Sequence, residues 1–438
     1  MEEFLVRFPG IGEDIFNQLD NQTLARCREV SRSQHKFLEK NKVLWKRMIE
    51  KYSANNVEFK DAWKLVVERV PVQNVKELAI AVEQFYSFRP HRLKHQHSPH
   101  HIAAECGNLS LCKFIVKKTG VLNPARSDGC TGLHFAVQER HFDVCQYIIN
   151  NAEDKNPKDN DGFTPLESAS LSGRFEIFKL ILDTQSEKNP KNWFGTLLHL
   201  AAGGGHVDVY RYISEGLEDK NPTADHGCTP LHIAARLGHF KVFEHIANSV
   251  SDLNLFTPGT VLTPLHLAAA KGHLEIVKYI TEHVIDKNPP NVVGTTPLHE
   301  AAKKGHLQIY KCIADQVTNK NPAEIILERV GRTPLHDAAA NGHIEIVNYI
   351  MDVIVIDNKN PKDHEGWTPM HLAVGKGYYK ICKVIIDHGA NPNPTNNAGI
   401  SALDLAHSNQ EIQDLIGFWG GAYSNQNPKK RKLQHIEK

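Results

Sequence analysis

The sequence predicts an all-α chain built as a solenoid of stacked repeats, and three observations carry that prediction. A tetrad opening on Thr or Ser recurs at Ser98, Thr131, Thr164, Thr196, Thr229, Thr263, Thr296, Thr333, Thr368 and Ser401, at steps of 32 to 37 residues. Self-similarity at such a period means units that cannot bury an apolar face alone and must stack. Each unit also carries helix punctuation. Thr can cap a helix, the Pro after it has no N–H to leave unsatisfied, and glycines such as Gly205, Gly238, Gly272 and Gly305 fall where a first helix should end. Finally, a second apolar-periodic segment such as "HLEIVKYI" follows, and the unit closes on variants of "DKNP" whose proline stops helix and turns the chain into a hairpin.

Composition narrows the function classes. The 438 residues hold 51 basic and 50 acidic side chains, a net charge of +1, so a whole-chain electrostatic grip on nucleic acid or anionic membrane is not expected. No apolar run approaches the roughly 18 to 20 residues of a membrane span, and "MEEFLVRFPG" has neither a basic n-region nor an apolar h-region. A soluble, non-secreted protein with no membrane partner is the expectation. Eight cysteines without a CxxC or a framework spacing fit a reducing compartment.

The 26 histidines raise the question of metal. His101, His134, His199, His232, His266, His299, His336 and His371 share the fourth place of the tetrad, where Glu167 and Asp404 also occur. That place is N3, from which a side chain reaches back to the N-cap, and Glu or Asp does the same. His141, His206, His239, His273, His306 and His343 recur one per unit at the turn between helices. Units about 10 Å apart cannot share a zinc ion at Zn–N distances of about 2 Å. Cys112, Cys145 and Cys382 alternate with Phe178, Tyr210, Phe243, Val277, Tyr310 and Val347, and Cys312 with Phe114, Tyr147, Tyr279 and Tyr349, which reads as core. No nucleophile, base and orienter stand out as a set, and no catalytic residue, metal, cofactor or small-molecule substrate is expected.

The tetrad and its period resemble the ankyrin repeat, most closely in "TPLHIAARLGHFKVFEHI" (229–246) and "TPLHLAAAKGHLEIVKYI" (263–280). The resemblance implies about ten repeats with β-hairpin fingers over residues 96–420. It also implies a protein target held by side chains that stacking does not consume. Candidates are Arg236, Lys271, Lys303 and Lys304 at first-helix ends, next to Leu237, Ala270, Gly375 and Lys376, with Phe163, Trp193, Phe194, Arg332 and Trp367 at the tips. Basic residues flanked by aromatic anchors suit an acidic, partly apolar protein segment, although Glu300 and Asp337 on the same helices break any single-sign picture. The finger "NKNPAEIILERVGRTP" (319–334) is four residues longer than its neighbours and carries Ile325, Ile326 and Leu327.

Residues 1–50 do not repeat. Their order of Ile11, Ile15, Phe16, Leu19, Leu24, Val30, Leu44 and Trp45 resembles an F-box, a small helical unit that docks a Skp-type adaptor and, through it, a cullin scaffold. The usual Leu-Pro entry reads Ile11-Gly12, and Gln34 stands where a tryptophan is common. Residues 51–95 read as a helical linker or N-terminal cap, with Pro71 dividing the segment 59–86 into two helices. After Gly421 the chain is polar and is expected to be a disordered tail; Lys429, Lys430, Arg431 and Lys432 resemble a nuclear localisation signal read by an importin-type carrier. These resemblances imply a substrate receptor of a cullin-RING ubiquitin ligase in nucleus and cytoplasm, or, as the alternative, a nuclear ankyrin scaffold that masks a partner.

Overall fold

A computed structural model describes residues 98–192, 195–225, 227–256, 262–292, 294–324, 330–354, 358–406 and 409–426. The F-box-like segment, the linker, Trp193, Phe194, Ile325, Ile326, Leu327 and the basic run 429–432 lie outside them. The chain divides into two units, residues 1–192 and 193–438.

In the first unit the tetrads at Ser98, Thr131 and Thr164 open α1 (Pro99–Glu105), α3 (Gly132–Gln138) and α5 (Pro165–Ser172). Each is followed by an antiparallel partner, α2 (Leu109–Thr119), α4 (Phe142–Asn151) and α6 (Phe175–Leu182), and β1 (Lys191–Asn192) ends the unit. The second unit starts with β2 (Gly195–Thr196) and continues with the pairs α7 (Leu197–Gly204) and α8 (Val207–Ser214), α9 (Pro230–Leu237) and α10 (Phe240–Ala247), α11 (Pro264–Lys271) and α12 (Leu274–His283). Then follow α13 (Pro297–Lys304) and α14 (Leu307–Ala314), α15 (Pro334–Asn341) and α16 (Ile344–Asp352), α17 (Pro369–Gly375) and α18 (Tyr379–Asp387), and α19 (Ala402–Leu405) and α20 (Gln410–Gln426). Within each unit first helices pack on first helices and second on second, so the helix pairs form two parallel layers. Helix α20 carries the backbone helix to Gln426, past the expected end of the array at residue 420. The first breaker after Gly421 is Pro428, so nothing in "AYSNQN" forces an earlier stop.

The tetrad histidines do more than cap. In α3, Thr131 N–H donates to His134 Nδ1 at 3.0 Å, while Nε2 lies 3.2 Å from the Phe163 carbonyl of the next finger. Since Nδ1 accepts, the proton sits on Nε2 and is donated to that carbonyl. His266 repeats the pattern with Thr263 N–H at 3.3 Å and the Thr295 carbonyl at 3.0 Å, and His371 with Thr368 N–H at 3.2 Å and the Ile400 carbonyl at 3.2 Å. Each imidazole therefore joins a helix start to the following repeat. The finger asparagines of the "KNP" motif supply a further cap. Asn156, Asn221 and Asn288 Oδ1 accept from the second helical N–H of the next helix, at Leu166, Leu231 and Leu298, over 2.9 to 3.0 Å.

The turn histidines also cross repeats. His239 Nε2 donates to the Gly203 carbonyl at 3.0 Å and His343 Nε2 to the Lys303 carbonyl at 3.0 Å. Their rings cover the glycines that end the preceding first helices. A Cβ at Gly272, φ +88°, would lie 2.8 Å from the His306 ring. Two constraints thus select glycine there, a left-handed backbone and a ring pressed against it. Among the described residues the fingers hold, besides the two-residue strands β1 and β2, only the antiparallel bridges Ala125–Thr131 and Thr395–Ser401 as β-structure. Their turns are closed by Asp or Asn side chains, as where Asp363 Oδ1 accepts from Trp367 N–H at 2.8 Å.

Cys112, Cys145 and Cys382 are buried, and burial pushes each thiol up to about 12, which leaves no thiolate near neutral pH. Cys312 departs from the core reading. It is only half-buried, as are Tyr279 and Tyr349, because two residues further along a helix is about 200° around it and turns away from the packed layer.

Burial holds the capping imidazoles neutral, lowering His101, His232 and His266 to about 4 against a free value near 6.5. Between pH 6.5 and 4 the unfolded chain binds protons that the folded array refuses. Stability is therefore complete above pH 6.5 and falls as pH drops toward 4. Urea midpoints measured across that range should decline, and His266→Gln, which keeps a cap acceptor without a titrating ring, should shallow the decline. Gly272→Ala should lower stability by about 1 to 3 kcal/mol through the strained φ and the ring contact, read as a urea midpoint at pH 7.

Candidate functional site

Among the described residues, a groove with varied side-chain chemistry lies in the second unit, between a finger and the inner ends of first helices. It has a volume of about 610 Å³ and is walled by Arg332, Asp363, Glu365 and Trp367 on the finger side, and by Leu372, Gly375, Lys376 and Leu405 on the helix side. Thr368 and its capping box fix the start of α17, so Leu372 follows capping His371 and points where the inner layer faces the finger. Trp367 is set by its own N–H to Asp363 Oδ1, by an edge contact to the His371 ring at 5.4 Å, and by an indole N–H donated to Glu365 Oε2 at 2.9 Å.

The acids in this groove are already engaged. Asp363 faces the Arg332 guanidinium at 3.7 Å, its side chain only 7 % exposed, and Glu365 accepts from Trp367. Lys376 is exposed, and among the described residues no carboxylate pairs with it. The groove thus offers a half-buried indole face, two leucines and one uncommitted ammonium. Gly375 lines it without obstruction, since a Cβ there would meet no heavy atom within 4 Å.

Of the expected target residues, the structure brings Arg332 and Trp367 together here. Arg236, Lys271 and Lys304 stand exposed at the ends of α9, α11 and α13, along the inner layer of the same unit. Lys303 is half-buried and its carbonyl is the acceptor for His343. Phe163 belongs to the first unit, is half-buried, and gives its carbonyl to His134. Trp193 and Phe194 lie outside the described residues, as do the adaptor residues Ile11 to Trp45 and the basic run Lys429 to Lys432. Sequence reasoning missed Asp363, Glu365, Leu372 and Leu405. The leucines had a signal, since both occupy the apolar place after the tetrad, where Leu200, Ile233 and Leu267 also stand.

One set of potential metal ligands occurs among the described residues, His299, Glu324 and Asp337, all buried, with ligand atoms within 4.8 Å of one another. The histidine in it is committed. Its Nδ1 accepts from Thr296 N–H at 3.2 Å and its Nε2 faces the Arg332 carbonyl at 3.2 Å, while Glu324 Oε1 accepts from the Thr295 hydroxyl at 2.8 Å. A metal would have to take the lone pair that caps α13, so the donor set is one of a capped finger neck rather than of an ion site.

The family model described as ankyrin repeats (three copies) matches residues 100–192, 187–257, 255–324 and 318–396. The chain belongs to the ankyrin-repeat family. Among curated proteins it is similar to protein phosphatase 1 regulatory subunit 12A of Rattus norvegicus, 33% identical over 79 residues, which are 18% of this chain and 7% of that protein. It is also similar to protein phosphatase 1 regulatory subunit 27 of Homo sapiens, 34% identical over 60 residues, 14% of this chain and 38% of that one. The putative ankyrin repeat protein FPV219 of Fowlpox virus (strain NVSL) is 48% identical over 44 residues, 10% of each. These matches cover well under two thirds of each relative's length. Ankyrin repeats imply a protein-interaction role, and proteins built from them are typically non-catalytic.

Because nothing crowds Gly375, and because it ends a helix with an ordinary backbone, Gly375→Ala should raise stability by about 0.5 to 1 kcal/mol, opposite in sign to Gly272→Ala in the same urea titration.

Proposed function

We propose that this ankyrin-repeat protein is a substrate receptor of a cullin-RING ubiquitin ligase. The repeat array holds a target protein, and the F-box-like segment around Ile11, Ile15, Phe16, Leu19, Leu24, Val30, Leu44 and Trp45 docks the Skp-type adaptor and its cullin. The observation that carries the target-holding half is the groove at Trp367, where a half-buried indole, two leucines and exposed Lys376 line one open surface. No group in this chain needs to do chemistry. A receptor of this kind accelerates transfer by holding target lysines near a ubiquitin-loaded enzyme, raising their effective concentration.

A second reading has its own support. Similarity to phosphatase 1 regulatory subunits favours a regulator that docks a protein partner with no ligase attached. The two readings share the groove and part at the head of the chain. Full-length protein should co-purify with a Skp-type adaptor, and Ile15→Ala, Leu19→Ala and Trp45→Ala together should abolish that capture; absence of the adaptor from the wild-type preparation would leave the regulator reading.

The basic run Lys429, Lys430, Arg431 and Lys432 after Pro428 fits the acidic and aromatic pockets of an importin-type carrier, which would divide the protein between nucleus and cytoplasm. Lys430→Ala with Arg431→Ala in a fluorescent fusion should shift signal to the cytoplasm, and an unchanged nuclear fraction would refute the signal.

A further inference from the structure

From α7 to α15 each first helix of the second unit ends eight residues beyond its N-cap, and from α9 onward the side chains at that place form a row. From α9 to α17 the row reads Leu237, Lys271, Lys304, Asn341 and then Lys376, just beyond the end of α17, and all five are exposed. Arg236, one residue before Leu237, is exposed as well. The acids on the same helices do not answer these cations at the surface, because Asp337 is buried and Glu300 is half-buried beneath the row. At the finger, Asp363 is held by Arg332 and Glu365 by the Trp367 indole. The uncompensated charge of the row itself is therefore positive, and the row ends at the groove beside Trp367, where Asp363 faces Arg332 and Glu365 keeps its charge under a neutral indole N–H.

Spacing turns that row into a register. Neighbouring first helices pack directly on one another, α11 on α13, α13 on α15 and α15 on α17, and packed helices lie about 8 to 10 Å apart. An extended chain advances about 3.3 Å per residue. One repeat thus corresponds to about three residues of an extended ligand running along the row. We infer that this face takes an extended acidic protein segment. One large apolar side chain would fill the groove between Trp367, Leu372 and Leu405, with acidic residues opposite Lys376, Lys304 and Lys271, the second about six and the third about nine residues from the first, because Asn341 holds the repeat between Lys376 and Lys304. The step opposite Asn341 tolerates any polar residue, and the step opposite Leu237 favours an apolar one. An exposed ion pair contributes little alone, so the apolar anchor supplies the affinity and the lysine row supplies register and salt dependence. The inference rests on the reading of the array as the part that holds the target.

The probes are fluorescent pentadecapeptides with one Leu or Trp and three Asp in a Gly/Ser background, the Asp set for a step of two, three or four residues per repeat with one step skipped between the first and second Asp, titrated against the full chain by anisotropy. Spacing by three should bind about three- to tenfold more tightly than the other two spacings and weaken as salt rises, and Lys in place of Asp should remove binding. Lys376→Glu with Lys304→Glu should reverse that preference. Gly375→Trp fills the groove and should remove binding while its urea midpoint stays near that of the wild type. Binding indifferent to spacing, binding retained by Gly375→Trp, or no binding by any acidic peptide would overturn the inference. Failure here is separable from failure of the receptor reading. A Gly375→Trp protein that still holds adaptor and the wild-type set of target proteins rejects this groove alone, whereas loss of adaptor capture by the wild type rejects the ligase assembly whatever the peptides do.

Discussion

The structure depends on a neutral imidazole held at two ends. In repeat after repeat a tetrad histidine accepts from the N-cap N–H through Nδ1 and donates through Nε2 to a carbonyl of the following finger, as His134 does between Thr131 and Phe163 and His336 between Thr333 and Trp367. Glu167 can cap in this place, accepting from Thr164 N–H at 2.7 Å, but a carboxylate has no proton to donate onward, and it turns instead to accept from Asn192 at 2.6 Å. Histidine is the side chain that caps and donates with the same ring. That double use ties the start of one helix to the finger of the next, and stacking then buries Leu265, Ala268 and Ala269 or Leu298, Ala301 and Ala302 beneath it.

That tie decides which groups the stack uses and which it leaves. Finger carbonyls and helix starts are consumed in holding neighbours together, and so are the turn histidines lying on their glycines. What stacking leaves unused is the exposed side chains of the last turn of each first helix and of the outer part of each finger. Charge follows the same division. Asp363 and Glu365 are spent on Arg332 and Trp367, fixing the shape of the groove, while Lys271, Lys304 and Lys376 make no ion pair among the described residues. A wall positioned this way loses little freedom on binding, so an apolar anchor placed against it need not order the site first.

Much of this was legible because the chain compares itself. Ten tetrads in one sequence separate what every repeat keeps from what one repeat changes, and the caps, the glycines and the buried site shared by Cys145, Phe178 and Tyr210 follow from that comparison. What stayed hidden were contacts between residues with no fixed partner type. The carbonyl that receives His134 lies on Phe163 and the one that receives His336 on Trp367, and a backbone oxygen leaves no mark on its own side chain. The "KNP" asparagine looked like a companion to proline, yet its Oδ1 caps a helix ten residues on. Cys312 looked like core because large apolar residues share its row, although aromatic rings can lie half-exposed over the layer edge where a burial pattern would not place them.

The groove itself was half legible, and the reason is geometric. Arg332 and Trp367 stood out by type and by finger position, whereas Leu372 and Leu405 looked like ordinary inner-layer residues, as Leu200 and Ile233 do elsewhere. Leu372 and Leu405 are half-buried just as Ile233 and Leu267 are, so this place is partly open along the stack, and the finger indole beside it is what makes a groove here. Helix α19 holds only Ala402–Leu405, so the inner layer ends one turn early, and Gly375 adds no side chain to close the gap. The two leucines stand at the point where the lysine row terminates. The short α19 and the bare Gly375 leave room beside Trp367 that longer side chains and a further helical turn would occupy.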